Sequence, residues 1–171
     1  METYGNEKSA FYAFKDRTIE GKDVDFSLFE GKMCLIVNTA CNCKLAKNGY
    51  SVIKEIKKKH SDLEVLLFPS ALNKIVDQTL KTPDAIISRM KEEGVYDIAT
   101  VFEKRTIDSK AGLFQWLTTQ SYKGSFMVDL MKSIKWNFTA FIVSKEGKCV
   151  GRISPIDLKL ETLEEVISQN M

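Results

Sequence analysis

Residues 34–45 read Cys34-Leu35-Ile36-Val37-Asn38-Thr39-Ala40-Cys41-Asn42-Cys43-Lys44-Leu45. The first four are a continuous apolar run of strand length after Gly31, and such runs suit strands covered on both faces, as in parallel sheets. Residues 38–44 then read as a loop and 45–60 as a helix, with Leu45, Tyr50, Val52, Ile53 and Ile56 forming an apolar stripe. Two cysteines therefore stand between the C-terminal end of a central strand and the start of a helix, the crevice where α/β proteins commonly hold ligands.

The chain on either side extends this unit. Residues 63–68 form a second apolar strand that Pro69 is expected to stop, which makes strand, helix, strand, the pattern of a parallel crossover. Thr82 suits an N-cap with Pro83 at the first helical position; Ile86, Ile87 and Met90 line one face before Gly94. A third helix is expected over 109–120, where Trp116 reads as a packing residue beside Leu113 and Leu117. Residues 138–143 and 149–153 read as two strands joined by a Gly147-containing loop. Thr162 and Glu165 have capping-box spacing for a last helix. In front, apolar stretches at 11–14 and 24–29 around a polar segment suggest a β-hairpin. Parallel strands first, an antiparallel pair later and helices on both faces predict an α/β fold with a thioredoxin-like mixed sheet.

With 171 residues and a 44% hydrophobic fraction, the expectation is a single domain spanning 1–171. The 25 basic and 23 acidic side chains nearly cancel, so composition argues against a nucleic-acid partner. Lys57, Lys58, Lys59 and His60 read as the solvated last turn of a helix, where cations complement the helix dipole. No basic-then-apolar leader opens the sequence and no apolar stretch approaches the roughly 20 residues of a membrane span. A soluble, cytoplasmic protein without stable membrane insertion is expected, and in a reducing compartment Cys34, Cys41, Cys43 and Cys149 are free thiols.

Cys43, next to the helix start, is the candidate nucleophile. The reactive form of a cysteine is its thiolate, and helix-start N–H groups or nearby ammonium groups such as those of Lys44 and Lys47 favour the ionised sulfur. A metal reading of Cys41 and Cys43 is weak, since zinc sites take four ligands and no second pair lies nearby. Cys34, in mid-strand, reads as an inert core residue.

The stretch 35–45, with Tyr50 after it, resembles the glutathione peroxidase segment LIVNVASKCGLT and its later tyrosine. Residues 63–69 resemble that family's LEILAFP strand, and Ile134-Lys135-Trp136-Asn137-Phe138 matches its IKWNF motif. The resemblance covers most of the chain in order. It implies a thioredoxin-like fold and a thiol-dependent peroxidase that reduces hydrogen peroxide or organic and lipid hydroperoxides through a cysteine sulfenic acid. In such members the site joins a cysteine to glutamine, tryptophan and asparagine. The resemblance thus implies Cys43 as nucleophile with Trp136 and Asn137 as polar partners, in place of a core tryptophan or a glycosylation sequon.

Two departures are equally visible. Where the family reads CNQFG, this chain reads Ser70-Ala71-Leu72-Asn73-Lys74, which puts Leu72 at the glutamine; Asn73 or Gln78 are the candidate substitutes. Residues 87–90 carry no cysteine where many relatives have their resolving one. No resident cofactor or metal is expected. An external thiol, glutathione or thioredoxin, is the expected reductant, with Cys41 as the alternative resolver. Residues 121–135 lack the insertion that builds interfaces in the family's tetrameric members, so the resemblance implies a monomer. Leu72 and the missing resolver also motivate an alternative, a redox-sensing or binding domain that keeps the fold with weakened turnover.

Overall fold

The computed structural model describes residues 8–107, 111–120 and 133–171. Lys15–Arg17 (β1) and Asp23–Asp25 (β2) pair antiparallel as the expected N-terminal hairpin. Only β1 and the start of β2 fall inside the polar segment, however. The apolar stretches on either side coil into 3-10 turns at Ala10–Ala13 and Phe26–Phe29, which bury Phe11, Phe26 and Phe29. Their aromatic rings pack better as a cluster under the sheet than along a two-stranded ribbon with one open face.

Cys34–Thr39 (β3) is buried at all six positions. It pairs in parallel with Glu64–Ala71 (β4), from Cys34 opposite Glu64 to Thr39 opposite Pro69. Pro69 therefore does not stop the strand. On the other edge of β4, Thr100–Val101 (β5) pairs through Leu67 and Arg105–Thr106 (β6) begins at Ser70, so Pro69 falls in the interval between the two ladders. β5 and β6 are two residues each, too short for hydrophobic periodicity to show. Ala140–Val143 (β7) runs antiparallel to β3, and Cys149–Ile153 (β8) pairs with β7, giving the order β5-β4-β3-β7-β8.

Alternation along the buried strands divides the core. Leu35, Val37, Val65, Leu67 and Ile142 face one cluster, filled by Ala46–Lys59 (α1), Pro83–Glu92 (α2) and Leu160–Gln169 (α4). Cys34, Ile36, Leu66, Phe68, Phe141 and Cys149 face the other, with Phe11, Phe26 and Phe102 and with Leu113, Phe114 and Leu117 of Gly112–Thr118 (α3). Trp116 stacks on Phe11 at 5.6 Å, the packing role expected of it. Residue 109, where that helix was expected to begin, lies outside the described residues.

The caps agree in part. Thr82 Oγ1 accepts from Ala85 N–H at 3.2 Å ahead of α2. The capping box at Thr162 and Glu165 does not form, because α4 begins earlier at Leu160 and places Thr162 inside its first turn. His60 is no bare surface residue: its Nε2 lies 2.7 Å from Glu164 Oε1 and joins α1 to α4. Lys57 Nζ donates to the carbonyls of Ser61 and Leu63, at 2.7 and 2.8 Å, and so ties the turn after α1 back to the helix.

One close approach positions the site. Phe138 adopts φ +63°, a left-handed backbone that costs a bulky residue energy, and it turns the chain from Asn137 into β7. Its ring lies so near α1 that a Cβ on Gly49 would stand 2.3 Å from its Cδ1. It also meets Tyr50 edge-on at 5.3 Å. Gly49→Ala, which in an open helix would stabilise by up to about 1 kcal/mol, is expected here to destabilise by about 1–3 kcal/mol in urea unfolding. A gain in stability would refute this reading of the contact.

Burial, aided by Glu64, pushes the Cys34 thiol from 9.0 to about 12. The raised value makes the folded state hold a proton that the unfolded chain releases, so this contribution is full below pH about 9.0 and is lost as pH rises toward about 12. Cys34→Val is expected to flatten the fall in stability across that alkaline window. An unchanged slope in pH-dependent unfolding would contradict it.

Candidate active site

Three segments meet beyond the C-terminal end of β3: the loop into α1, the connection after β4, and the turn into β7. Their backbones are tied to one another before any side chain acts. Asn38, fully buried, donates from Nδ2 to Trp136 O at 3.3 Å and accepts at Oδ1 from Thr139 N–H at 3.0 Å; its carbonyl accepts from Phe138 N–H at 2.7 Å. Thr79, also buried, sets its hydroxyl 3.3 Å from Thr39 O and 3.1 Å from Ser70 O, bridging the ends of β3 and β4.

Cys43 lies in a turn closed by its own N–H to Ala40 O at 3.3 Å, just before α1. Leu45 occupies the N-cap position and has no side-chain cap to offer; its N–H donates instead to Cys43 Sγ at 3.4 Å. The sulfur thus accepts from one of the amides that a helix start leaves unpaired, where partial positive charge favours an anion. Cys43 is 7% exposed. Lys44 is exposed and makes no ion pair among the described residues.

Asn137 is 1% exposed and its Nδ2 donates to Gln78 Oε1 at 2.9 Å. Gln78 comes from the connection after β4, which folds back so that its carbonyl accepts from Asn42 N–H at 2.8 Å. Of the two candidate substitutes, then, Gln78 is the one brought to Asn137. Asn73 is occupied elsewhere: its Oδ1 accepts from Ile75 N–H at 2.8 Å and Val76 N–H at 2.7 Å, an Asx turn that shapes its own loop. Leu72 packs against the phenylalanine-rich cluster on the opposite face of the sheet.

Asp77 anchors the chain just before Gln78. Burial raises its carboxyl, but Lys104 at 2.6 Å and the Thr79 N–H outweigh this and hold it below the usual carboxylate range. Trp136 is 40% exposed, while its carbonyl is held by Asn38 and Thr139. Cys41, 6% exposed, takes a hydrogen bond from the Tyr50 hydroxyl at 3.7 Å, and Arg89 of α2 donates to its carbonyl at 3.2 Å.

Sequence reasoning named Cys43, Trp136 and Asn137 but missed Thr79, Asp77 and Arg89, which hold the loops and carry no chemistry of their own. Among the described residues no three His, Cys, Asp or Glu side chains converge as metal ligands, and no helix is long and apolar enough to cross a membrane.

A family model for glutathione peroxidase matches residues 11–118. A probable phospholipid hydroperoxide glutathione peroxidase of Nicotiana sylvestris is 36% identical over 163 residues, covering 91% of this chain and 89% of that one. Glutathione peroxidase 1 of Caenorhabditis elegans is 34% identical over 151 residues, covering 86% of this chain and 88% of the relative. Among solved structures, Trgpx in its apo form superimposes with a TM-score of 0.65 at 26% identity over 95% of both chains. MTB dsbF, at 13% identity and a TM-score of 0.58, covers 96% of this chain and 99% of its own and shares the thioredoxin-like fold. On the extent of the family match and of the identity to these relatives, the chain belongs to the glutathione peroxidase family.

Proposed function

We propose that the protein is a thiol-dependent peroxidase that reduces hydrogen peroxide or organic and lipid hydroperoxides, with Cys43 as the attacking sulfur. The observation that carries this reading is the placement of Cys43 Sγ on the Leu45 amide at the start of α1, at the strand ends that also hold the Asn137–Gln78 carboxamide pair. Family membership supports it, as do relatives whose names are those of glutathione and phospholipid hydroperoxide peroxidases.

The Cys43 thiolate attacks one peroxide oxygen, the O–O bond breaks, and the leaving alkoxide or hydroxide takes up a proton. Cys43 is thereby oxidised to a sulfenic acid, which a thiol must reduce before irreversible oxidation. Carboxamide and indole N–H groups donate to anions, so Asn137, Gln78 and Trp136 serve as polar partners that orient the reacting oxygens, with Gln78 taking the part that Leu72 cannot. Lys44 adds positive potential at the rim. The alternative of a weakened redox sensor was motivated by Leu72 and the missing resolving cysteine, and the Gln78 amide bonded to Asn137 weakens the first of these two motives.

The finer parts of the proposal are a single domain over 1–171, no resident cofactor or metal, and glutathione or thioredoxin as external reductant. It also takes the protein as a cytoplasmic monomer with no nucleic-acid partner and no stable membrane insertion. Four free, buried thiols fit a reducing compartment. Residues 121–132, which carry most of the argument for a monomer, lie outside the described residues.

Peroxide consumption coupled to glutathione or thioredoxin oxidation tests the central claim. Cys43→Ser is expected to lose turnover by about three orders of magnitude or more, and Cys34→Ser to retain it. Equal turnover of Cys43→Ser and the parent would contradict the assignment.

A further inference from the structure

One nucleophilic group beside Cys43 has no task in the chemistry above, the thiol of Cys41. The other two cysteines are remote. Cys34 opposes Val143 and Val143 opposes Cys149, which places both at the opposite end of the sheet. Five residue steps of about 3.3 Å separate Cys34 from Thr39, or about 16 Å of strand before the site begins. Cys41 shares the turn of Cys43, closed by Cys43 N–H to Ala40 O at 3.3 Å. Steps of about 3.8 Å folded through such a turn leave the two Cα atoms about 5–6 Å apart, within the range a disulfide spans.

The surroundings of Cys41 are built around its sulfur. Tyr50, 1% exposed and fixed edge-on against Phe138, donates its hydroxyl to Cys41 Sγ at 3.7 Å. Burial pushes the Tyr50 phenol above its ordinary range, so it is a donor at neutral pH. Burial also raises the Cys41 thiol, and the Tyr50 hydrogen bond, the Leu80 backbone and the Arg89 charge act against that rise. Arg89 meanwhile grips the Cys41 carbonyl and holds the turn against α2.

We propose that Cys41 resolves oxidised Cys43, forming a Cys41–Cys43 disulfide, and that Tyr50 is the positioning residue that holds the Cys41 sulfur for this step. The proposal rests on the peroxidase reading and deepens it. The Cys41 sulfur attacks the sulfur of the Cys43 sulfenic acid and an S–S bond forms. The Cys43 S–O bond breaks, and the hydroxide leaves as water with the proton Cys41 gives up. Two thiol groups of an external reductant, in a dithiol protein or two glutathione molecules, then supply two electrons and two protons to regenerate both cysteines. A disulfide across one intervening residue closes a small, strained ring. Strained disulfides are more oxidising and more readily reduced, as a turnover intermediate must be. The reductant therefore meets a disulfide in place of a sulfenic acid.

The test uses the full chain treated with one equivalent of hydrogen peroxide without reductant, then alkylated, digested and read by mass spectrometry with dimedone as the sulfenic-acid trap. The parent and a Cys34→Ser/Cys149→Ser variant are expected to yield the Cys41–Cys43 disulfide. Cys41→Ser is expected to accumulate the dimedone adduct on Cys43. Tyr50→Phe is expected to slow disulfide formation about fivefold relative to Cys43 oxidation in the same sample, and to move its pH dependence upward. A parent that accumulates the dimedone adduct with no linked cysteines would overturn the proposal while leaving the peroxidase reading in place. Failure of Cys43 to oxidise at all would overturn both.

Discussion

The buried carboxamide of Asn38 commits both of its ends to the segment ahead of β7, donating to Trp136 O and accepting from Thr139 N–H, while its own carbonyl takes the Phe138 N–H. These three bonds, made from the central strand, fix where Trp136 and Asn137 emerge. They also hold Phe138 in a left-handed conformation that a phenylalanine would not keep unaided. With that turn in place the Phe138 ring presses against Gly49 and Tyr50, so the register of α1, the seat of Cys43, and the position of Asn137 are set by one packing arrangement. An unpaired amide at Asn38 would cost its full desolvation, which makes the arrangement self-consistent only as a whole.

The frame of the fold was legible because its signals are physical and local. The run from Cys34 to Val37 is apolar on both faces because the sheet is covered on both, and Thr82-Pro83 starts a helix because the hydroxyl and the fixed φ suit that position. What escaped reading was set by tertiary contact. β5 and β6 exist because β4 offers them ladder partners, Pro69 continues a strand because its neighbours leave a gap, and Leu160 opens α4 ahead of the more obvious cap at Thr162.

The site divides in the same way. Cys43 stands out in sequence by its place between a strand end and a helix start, whereas Trp136 and Asn137 were legible only through the resemblance of their motif to the family's. Gln78 has no such motif, and its relation to Asn137 arises because Asn73 closes one turn, Asp77 is pinned by Lys104, and Thr79 bridges two strand ends. Each of those contacts is ordinary for a polar loop. Their sum brings an amide to Asn137, while Leu72 packs on the other face of the sheet. His60 shows the converse, since a lone histidine in a lysine-rich turn gives no sign in sequence of the Glu164 partner that a different helix provides.

The measurement that bears most directly on this account is the second-order rate of Cys43 oxidation by hydrogen peroxide in Gln78→Leu beside the parent, followed by stopped flow under single-turnover conditions. If Gln78 completes the site through Asn137, the variant oxidises about ten- to a hundredfold more slowly while its fold, read by unfolding midpoint, is kept. A variant that oxidises as fast as the parent would show that Cys43 works without the Asn137–Gln78 pair and would contradict the account.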